Sequence, residues 1–431
     1  MRTISTEEPK AIIDCALAAA SADDLVVFLS RRCSATTRFS DNAITQNVSS
    51  EGARITVTAA FGQRHGTAAG NELGEEAVRE LVRRAEDIAR AAEPDPEYMP
   101  PVEPPQEYPV VPAWFEPTTA FGPQRRAAAV REVIGVAREG GLRAAGSITV
   151  SWREGWLGNS CGLLAGHRAT QARLVVTMIA EDSSGWAERT VNDVTELDVA
   201  AVAREARRYA EQARNPVELS PGRYTVVLTP AALDDIISPM VWALDAKAAD
   251  EGRSVFRGAE GTQVAGEEIT LRGDPSCAEC PGEPLGEGGL PAGPATVIER
   301  GTLKTLVYSR FWAKKKGRPP GPFLTNVIID GGEATLEELV SSVERGLLVN
   351  HCWYVRHVDP MRLLLTGMTR DALLRIENGE IVGGAKHMRW NVSPLDVLKN
   401  VRALGRVGRA GQALLPAVVV DDFYLSSGTL F

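Results

Sequence analysis

Histidine, cysteine, basic charge and long apolar runs are all in short supply in this 431-residue chain, and each shortage narrows what it can be. There are five histidines, and no HExxH occurs. The six cysteines (Cys15, Cys33, Cys161, Cys277, Cys280, Cys352) are scattered as reduced cytosolic thiols are, not as a disulfide framework, which predicts a cytoplasmic protein. Lys and Arg total 47 against 56 Asp and Glu, a net charge of −9 that disfavours a nucleic-acid backbone as main partner. Stretches such as Ala413 to Val420 fall well short of the ~20 apolar residues that span a bilayer. No P-loop, no GxGxxG after a strand and no GxSxG occurs.

What remains, 44% hydrophobic and 24% charged residues, is the composition of an ordinary globular protein. At about 100–200 residues per domain the length allows roughly two to four domains. Arg2 followed by apolar Ala11 to Ala20 and Ser21-Ala22 has the outline of a weak signal peptide, but Asp14 interrupts the run.

The chain repeats itself at an offset of roughly 120 residues. Ala53-Arg54-Ile55-Thr56-Val57-Thr58 returns as Ala172-Arg173-Leu174-Val175-Val176-Thr177. Each copy opens with a Pro-started helix, at Pro9 or Pro123, that leads into a strand, Leu25–Phe28 or Ser147–Val150. The Ala11 to Ala20 segment is therefore expected to be a helix of the folded domain. Each copy closes with a charged helix, Val78–Ala85 ending before Pro94 and Val199–Ala206 ending before Pro216. In the first, Val78, Leu81, Val82, Ala85 and Ile88 or Ala89 mark a buried stripe, with Arg79, Glu80, Arg83, Glu86 and Arg90 outward. Between the copies, Pro94 through Pro112 form an extended connector.

From Tyr224 the pattern turns to strands and turns. Tyr224–Leu228 reads as a buried strand, and Thr229-Pro230 as the N-cap and first position of a helix over Ala231 to Ala249. Thr335-Leu336-Glu337-Glu338 is a capping box for a helix over 336–345, closed at Gly346. Strands are expected at Gly301–Tyr308, His351–Val358, Arg362–Thr366, Leu373–Ile376 and Ala417–Leu425. The expected fold is α+β: a duplicated N-terminal α+β domain over 1–218, with copies at 8–94 and 122–216 and the connector at 93–121, then a β-rich, barrel- or sandwich-like C-terminal domain over 219–431 with a few helices.

Three clusters invite a chemical reading. Cys277-Ala278-Glu279-Cys280 is a lone CxxC without the second pair that a zinc ribbon needs, so it reads as two loop thiols. Phe311-Trp312-Ala313-Lys314-Lys315-Lys316-Gly317-Arg318 is basic and aromatic, and on an acidic protein reads as a solvated loop. In His351-Cys352-Trp353-Tyr354-Val355-Arg356-His357, a strand would hold the two histidines about 20 Å apart and turn Cys352 to the other face, which weakens both metal and Cys/His readings. Tyr354, Arg356, His357 and Asp359 are the candidates for lining a substrate cleft.

The order of motifs resembles the TldD/PmbA (TldD/TldE) family, once called modulators of DNA gyrase. The resemblance rests on Arg38–Gln46, Glu51–Val57 and Gly66-Thr67-Ala68, and more specifically on Gly222–Pro230, Gly346–Val349, Trp353–Arg356, Asp359-Pro360, Leu365–Asp371, Ile376–Ile381 and Asn391–Leu395. The family's TldD-type subunit is a metallopeptidase whose zinc sits on a HExxxH helix and a distant cysteine, and it pairs with a TldE/PmbA-type subunit without that site. The resemblance aligns the three helix positions with Ser238, Pro239 and Ala243, and the cysteine of a CGKxGQ-like motif with Val407 in Val407–Gln412. None of these can bind zinc or act as the peptidase base. Pro239 would also cost its helix a hydrogen bond.

The resemblance thus implies a non-catalytic, TldE/PmbA-like subunit that completes the chamber of a heteromeric zinc peptidase and binds extended peptide at a sheet edge. Zinc is then expected in a HExxxH-bearing, TldD-like partner, and no cofactor in this chain. The alternative is a stand-alone hydrolase or biosynthetic enzyme using residues such as Cys352, His357 or Asp359. A DNA-associated role rests only on the old family name and the Lys314 cluster.

Overall fold

In the computed structural model, which describes residues 7–429, each half of the chain builds its own sheet. Arg2 lies outside the described residues. The first half runs α1 (Glu7–Ala19), β1 (Asp24–Ser40), β2 (Ala43–Phe61), β3 (Arg64–Gly70) and α2 (Glu75–Ala91). After the connector and a short α3 (Glu116–Thr119) come α4 (Pro123–Glu139), β4 (Arg143–Asn159), β5 (Leu164–Ile179), β6 (Ser184–Val191) and α5 (Val199–Gln212). The same order of elements occurs twice. The six strands form one antiparallel sheet, β3-β2-β1-β4-β5-β6, in which β1 and β4 pair back to back across the centre, Cys33 opposite Trp152.

The repeated segments Ala53–Thr58 and Ala172–Thr177 occupy β2 and β5, matching places on either side of that centre. The four-residue strands read at 25–28 and 147–150 lie in the first halves of two 17-residue strands. α1 buries Ile13 and Ala16 against the first half of the sheet, so Ala11 to Ala20 packs as a structural helix. The duplication reaches down to single glycines. A Cβ on Gly66 of β3 would lie 2.5 Å or less from the backbone of Ala85 and Ala89 in α2. A Cβ on Gly185 of β6 would lie 2.2 Å from the backbone of Ala206 and Ala210 in α5. Both helices sit directly on a glycine of their strand.

One polar residue of α2 departs from its expected face. Glu86 is buried, and its carboxylate accepts the Ser21 and Ala22 backbone N–H groups and the Ser21 hydroxyl. Burial pushes this carboxyl up, yet those bonds together with Arg90 hold it below the usual range.

The second half contains β7 (Gly222–Leu228), α6 (Pro230–Ala243), α7 (Ala246–Asp250), β8 (Leu271–Gly273), β9 (Ala295–Glu299), β10 (Thr302–Leu303), α8 (Arg310–Lys316) and β11 (Val327–Ile329). It continues through α9 (Leu336–Ser341), β12 (Arg345–Asp359), β13 (Leu364–Glu377), β14 (Glu380–Ala385), β15 (Met388–Val392), α10 (Pro394–Lys399), β16 (Val401–Ala410) and β17 (Ala413–Gly428). These strands form an eleven-stranded sheet. Because β17 also pairs with β7, the path β17-β15-β13-β12-β7 closes on itself. The C-terminal half is thus β-rich with a barrel-like closure that buries the edges of its central strands.

Local readings needed four corrections. The helix expected over 231–249 is broken at Leu244-Asp245, because Asp245 turns extended and its carboxylate caps α7 through the Ala248 N–H. The capping box at Thr335 is present, but its helix ends at Ser341 and Gly346 lies inside β12, where a Cβ would meet the Thr225 carbonyl at 2.5 Å. Only Thr302 and Leu303 of Gly301–Tyr308 form a regular strand. The basic segment at Lys314 is helix α8, not a loop: Trp312 is buried, Lys315 lies over its ring and Lys316 pairs with Asp250.

Candidate functional site

Polar side chains converge where the two sheets meet. β6 is the edge strand of the first sheet, and it faces the N-terminal half of α6, the middle of β12 and the β16–β17 turn across a cleft of about 430 Å³. Each wall has a local cause. Thr229 caps α6 through the Ala232 N–H, and its hydroxyl also bonds the Asn350 carbonyl at 2.5 Å, which fixes the helix start against β12. Leu233, Ile236, Ile237 and Met240 then bury one face of α6, which leaves Asp234 and Asp235 at the cleft.

A bulge provides the second wall. Val349 of β12 pairs with Leu373 of β13 but His351 pairs with Arg370, so β13 carries one extra residue opposite Asn350. Asp371 and Ala372 adopt positive φ there, 47° and 79°. The Asp371 side chain accepts from His351 Nε2 at 2.9 Å on one oxygen and from the Ser184 hydroxyl at 2.6 Å on the other. Burial pushes Asp371 up, but these two bonds outweigh it and hold the carboxyl below the usual aspartate range. His351 stacks on Trp186 of β6 with ring centroids 4.3 Å apart, and Asn350 donates to the Trp186 carbonyl at 2.8 Å.

The electrostatics divide into paired and unpaired charges. Arg173 pairs with Glu188, and Arg189 with Glu205 at 3.5 Å. Among the described residues, Asp234, Asp235 and Arg409 form no ion pair across the cleft. Asp234 accepts the Ser238 hydroxyl at 2.8 Å, and Asp235 accepts the Cys352 N–H at 2.7 Å. Burial raises both carboxyls, and lifts Asp235 to about 7. Arg409 donates only to neutral acceptors, chiefly Asn192 Oδ1 at 2.5 Å and the Gly411 carbonyl at 3.1 Å.

The four positions aligned with the family's metal motif lie on α6 and β16, two elements that contribute other residues to this cleft. Ser238 is exposed one turn beyond Asp234, Pro239 lies inside α6, and Ala243 ends it. Val407 is on β16, immediately before Gly408–Gly411, which border the cleft. A hydroxyl bonded to Asp234, a pyrrolidine ring and two aliphatic side chains do not fit zinc. Among the described residues no group of three or more His, Cys, Asp or Glu converges as a metal site.

The residues proposed from sequence to line substrate lie elsewhere. Tyr354, Arg356, His357 and Asp359 sit on the outer continuation of β12, while the cleft takes Asn350 to Trp353. Strict alternation fails there because Tyr354 has φ 56° and the pairing register shifts between Trp353 and Arg356. Arg356 lies over the Tyr354 ring, and Asp359 caps the turn at Met361 and Arg362. Cys352 is buried, and burial followed by the nearby Asp235 charge pushes its thiol well up, opposite to what a nucleophile needs. Of the CxxC pair, Cys280 is buried with its thiol raised to about 11.

Asp234 and Asp235, Trp186, Asp371 and Arg409 escaped the sequence reading. One signal was available for the first pair: in Pro230–Ala243 the only polar residues are Asp234, Asp235 and Ser238, so two adjacent acids interrupt an otherwise apolar helix.

Fold and site together define a two-sheet α+β protein with a polar cleft at the sheet junction, bordered by a family helix and a family turn. Sequence models of the PmbA/TldA metallopeptidases match in order along it: domain 1 over residues 25–89, the central domain over 68–214 and the C-terminal domain over 221–427. The chain belongs to this PmbA/TldD family.

Its curated relatives include a metalloprotease of Methanothermobacter thermautotrophicus, 24% identical over 279 residues, and one of Archaeoglobus fulgidus, 25% identical over 197. These matches span 59% and 39% of this chain, and 60% and 44% of the relatives' own lengths. Among solved structures, TldE of Thermococcus kodakarensis superposes with a TM-score of 0.87 at 20% identity, covering 97% of this chain and all of that one. A proposed DNA gyrase modulator of Thermotoga maritima also gives 0.87, at 17% identity, covering 96% and 99%. At such identities the likeness is one of fold. No helix among the described residues is long and apolar enough to cross a membrane.

Proposed function

We propose that this chain is the non-catalytic, TldE/PmbA-type subunit of a heteromeric TldD/TldE-type zinc peptidase. It completes the substrate chamber and binds extended peptide. The observation that carries the reading is the chemistry of Ser238, Pro239, Ala243 and Val407, the positions that the family resemblance aligns with the metal motif: on α6 and β16 they offer zinc no donor set. The metal and the general base then come from a HExxxH-bearing paralogue. The cleft supplies a surface for peptide: β6 is an edge strand, and its residues 186–189 face the cleft, so a peptide backbone can add alongside it. The free cysteines suit a reducing, cytoplasmic setting.

Co-expression with a HExxxH paralogue tests this. The expected result is a stable complex in which only the mixture cleaves peptides. Full peptidase activity of the paralogue alone would overturn it.

The alternative of a stand-alone enzyme using Cys352, His357 or Asp359 finds less support, since the thiol is buried and protonated and the other two lie outside the cleft. Turnover by the single chain in chelator would favour it.

A further inference from the structure

The cleft's charges are satisfied unevenly, and the pattern describes a ligand. On the β5 and β6 side every guanidinium has its carboxylate, Arg173 with Glu188 and Arg189 with Glu205. On the α6 side two adjacent carboxylates face the same space with one neutral hydrogen bond each, from Ser238 and from the Cys352 N–H. At the β16–β17 turn Arg409 is held by four neutral acceptors and no carboxylate. Charges withdrawn from water without an opposite partner are costly unless a bound group completes them. The same cleft is lined by the Trp186 ring, stacked on His351, and by the half-exposed Trp353.

Resting on the peptide-binding role argued above, we propose that this cleft recognises the ammonium-bearing end of an extended peptide. Asp234 and Asp235 receive the ammonium, the indole of Trp186 offers its face to the adjoining chain, and Arg409 receives a carbonyl oxygen further along. A divalent cation suits the site less, because the two acids have no third His, Cys, Asp or Glu converging with them among the described residues. An ammonium asks for less: two or three acceptors at hydrogen-bond distance and an electron-rich ring nearby. Two sources share this chemistry, the α-amine of a peptide and the side chain of lysine.

Calorimetric titration of the full-length chain alone, without any paralogue, separates them. The probes are tetra-alanine, N-acetyl tetra-alanine, and N-acetyl tetrapeptide with one lysine. The expected result is binding of the free-amine peptide and a loss on the order of tenfold or more on acetylation, as removal of a charge-assisted contact gives. Recovery of affinity by the lysine peptide would assign the site to side chains, and failure to recover would assign it to the α-amine. In the double variant Asp234→Asn/Asp235→Asn the preference for the free amine should vanish. Asparagine still accepts from Ser238 and from the Cys352 N–H, and an unchanged circular dichroism spectrum and melting curve would show that the fold is retained. Equal binding of acetylated and free peptides, no binding of any probe, or a preference that survives in the double variant would overturn the proposal. Failure to form a complex with a paralogue would overturn the subunit reading and leave this measurement intact.

Discussion

Asp235 shows what a buried carboxylate does to a fold that must hold it. Unfolded, it titrates near the ordinary aspartate value of about 3.9; in the fold, burial lifts it to about 7. Its folded pKa is raised, so the native state binds the extra proton between those values. Its stabilising balance is therefore full below about pH 4, falls as pH rises to about 7 and is level above. Asp235→Asn removes the titration and keeps an acceptor for the Cys352 N–H. Urea unfolding should find the variant close to the parent near pH 4.5 and more stable by about 1–3 kcal/mol near pH 8. A gap that does not widen with pH would count against the buried charge. Cys352, beside it, is fully buried with a raised thiol, whereas Cys161 is exposed. A disulfide reagent should label Cys161 first and spare Cys352 until the chain unfolds, as peptide mapping would show. At this scale little of the cleft was legible. Residue types near it were visible in sequence, but which of them face it is decided by the Asp371 bulge and by Tyr354, whose positive φ resets the alternation of β12.

Elements were more legible than residues because periodicity and caps act locally. The repeat identified β2 and β5 as counterparts, the stripe of α2 is buried as its spacing implies, and Thr229 and Thr335 cap the helices they precede. What sequence could not supply was where tertiary contacts overrule a continuing pattern, as at Asp245, which leaves the helix so that Ala246 can bond the Val307 carbonyl. The paired glycines are the most testable consequence of the duplication. Gly66→Ala and Gly185→Ala each force a methyl into the backbone of the overlying helix, and each should destabilise the chain by about 2–4 kcal/mol in denaturant titration. Gly135→Ala, in the middle of α4 with open space around its Cβ, should instead stabilise by about 0.5–1 kcal/mol. Equal effects at all three sites would remove the argument that α2 and α5 rest on their glycines. Gly185 also adjoins Ser184 and Trp186, so its substitution should weaken peptide binding as well as stability.

At the scale of the whole molecule, the two sheets are joined by polar contacts that also build the cleft: Ser184 to Asp371, Asn350 to the Trp186 carbonyl, Arg409 to Asn192. Beyond that junction the chain leaves apolar surface uncovered. Trp353, Tyr354, Val358 and Met361 are each about half exposed at the end of the β12–β13 hairpin, and Trp242 on α6 is 86% exposed. Exposed aromatic and aliphatic groups gathered in one hairpin are the kind of surface that protein–protein contacts use. If the chain is one subunit of a two-subunit peptidase, this rim beside the cleft is the surface a paralogue would cover, and enclosure of the cleft would follow from that contact. Tyr354→Glu with Val358→Glu should then lower the affinity for a HExxxH paralogue by on the order of a hundredfold, as loss of central interface anchors does. Because both side chains are solvent-exposed, the melting temperature of the isolated chain should stay unchanged. Peptide cleavage by the mixture should fall in proportion to the complex lost, while binding of free-amine peptide to the single chain persists. Undiminished assembly in pull-down and gel filtration would move the interface away from this hairpin, and with it the reason for the exposed aromatics.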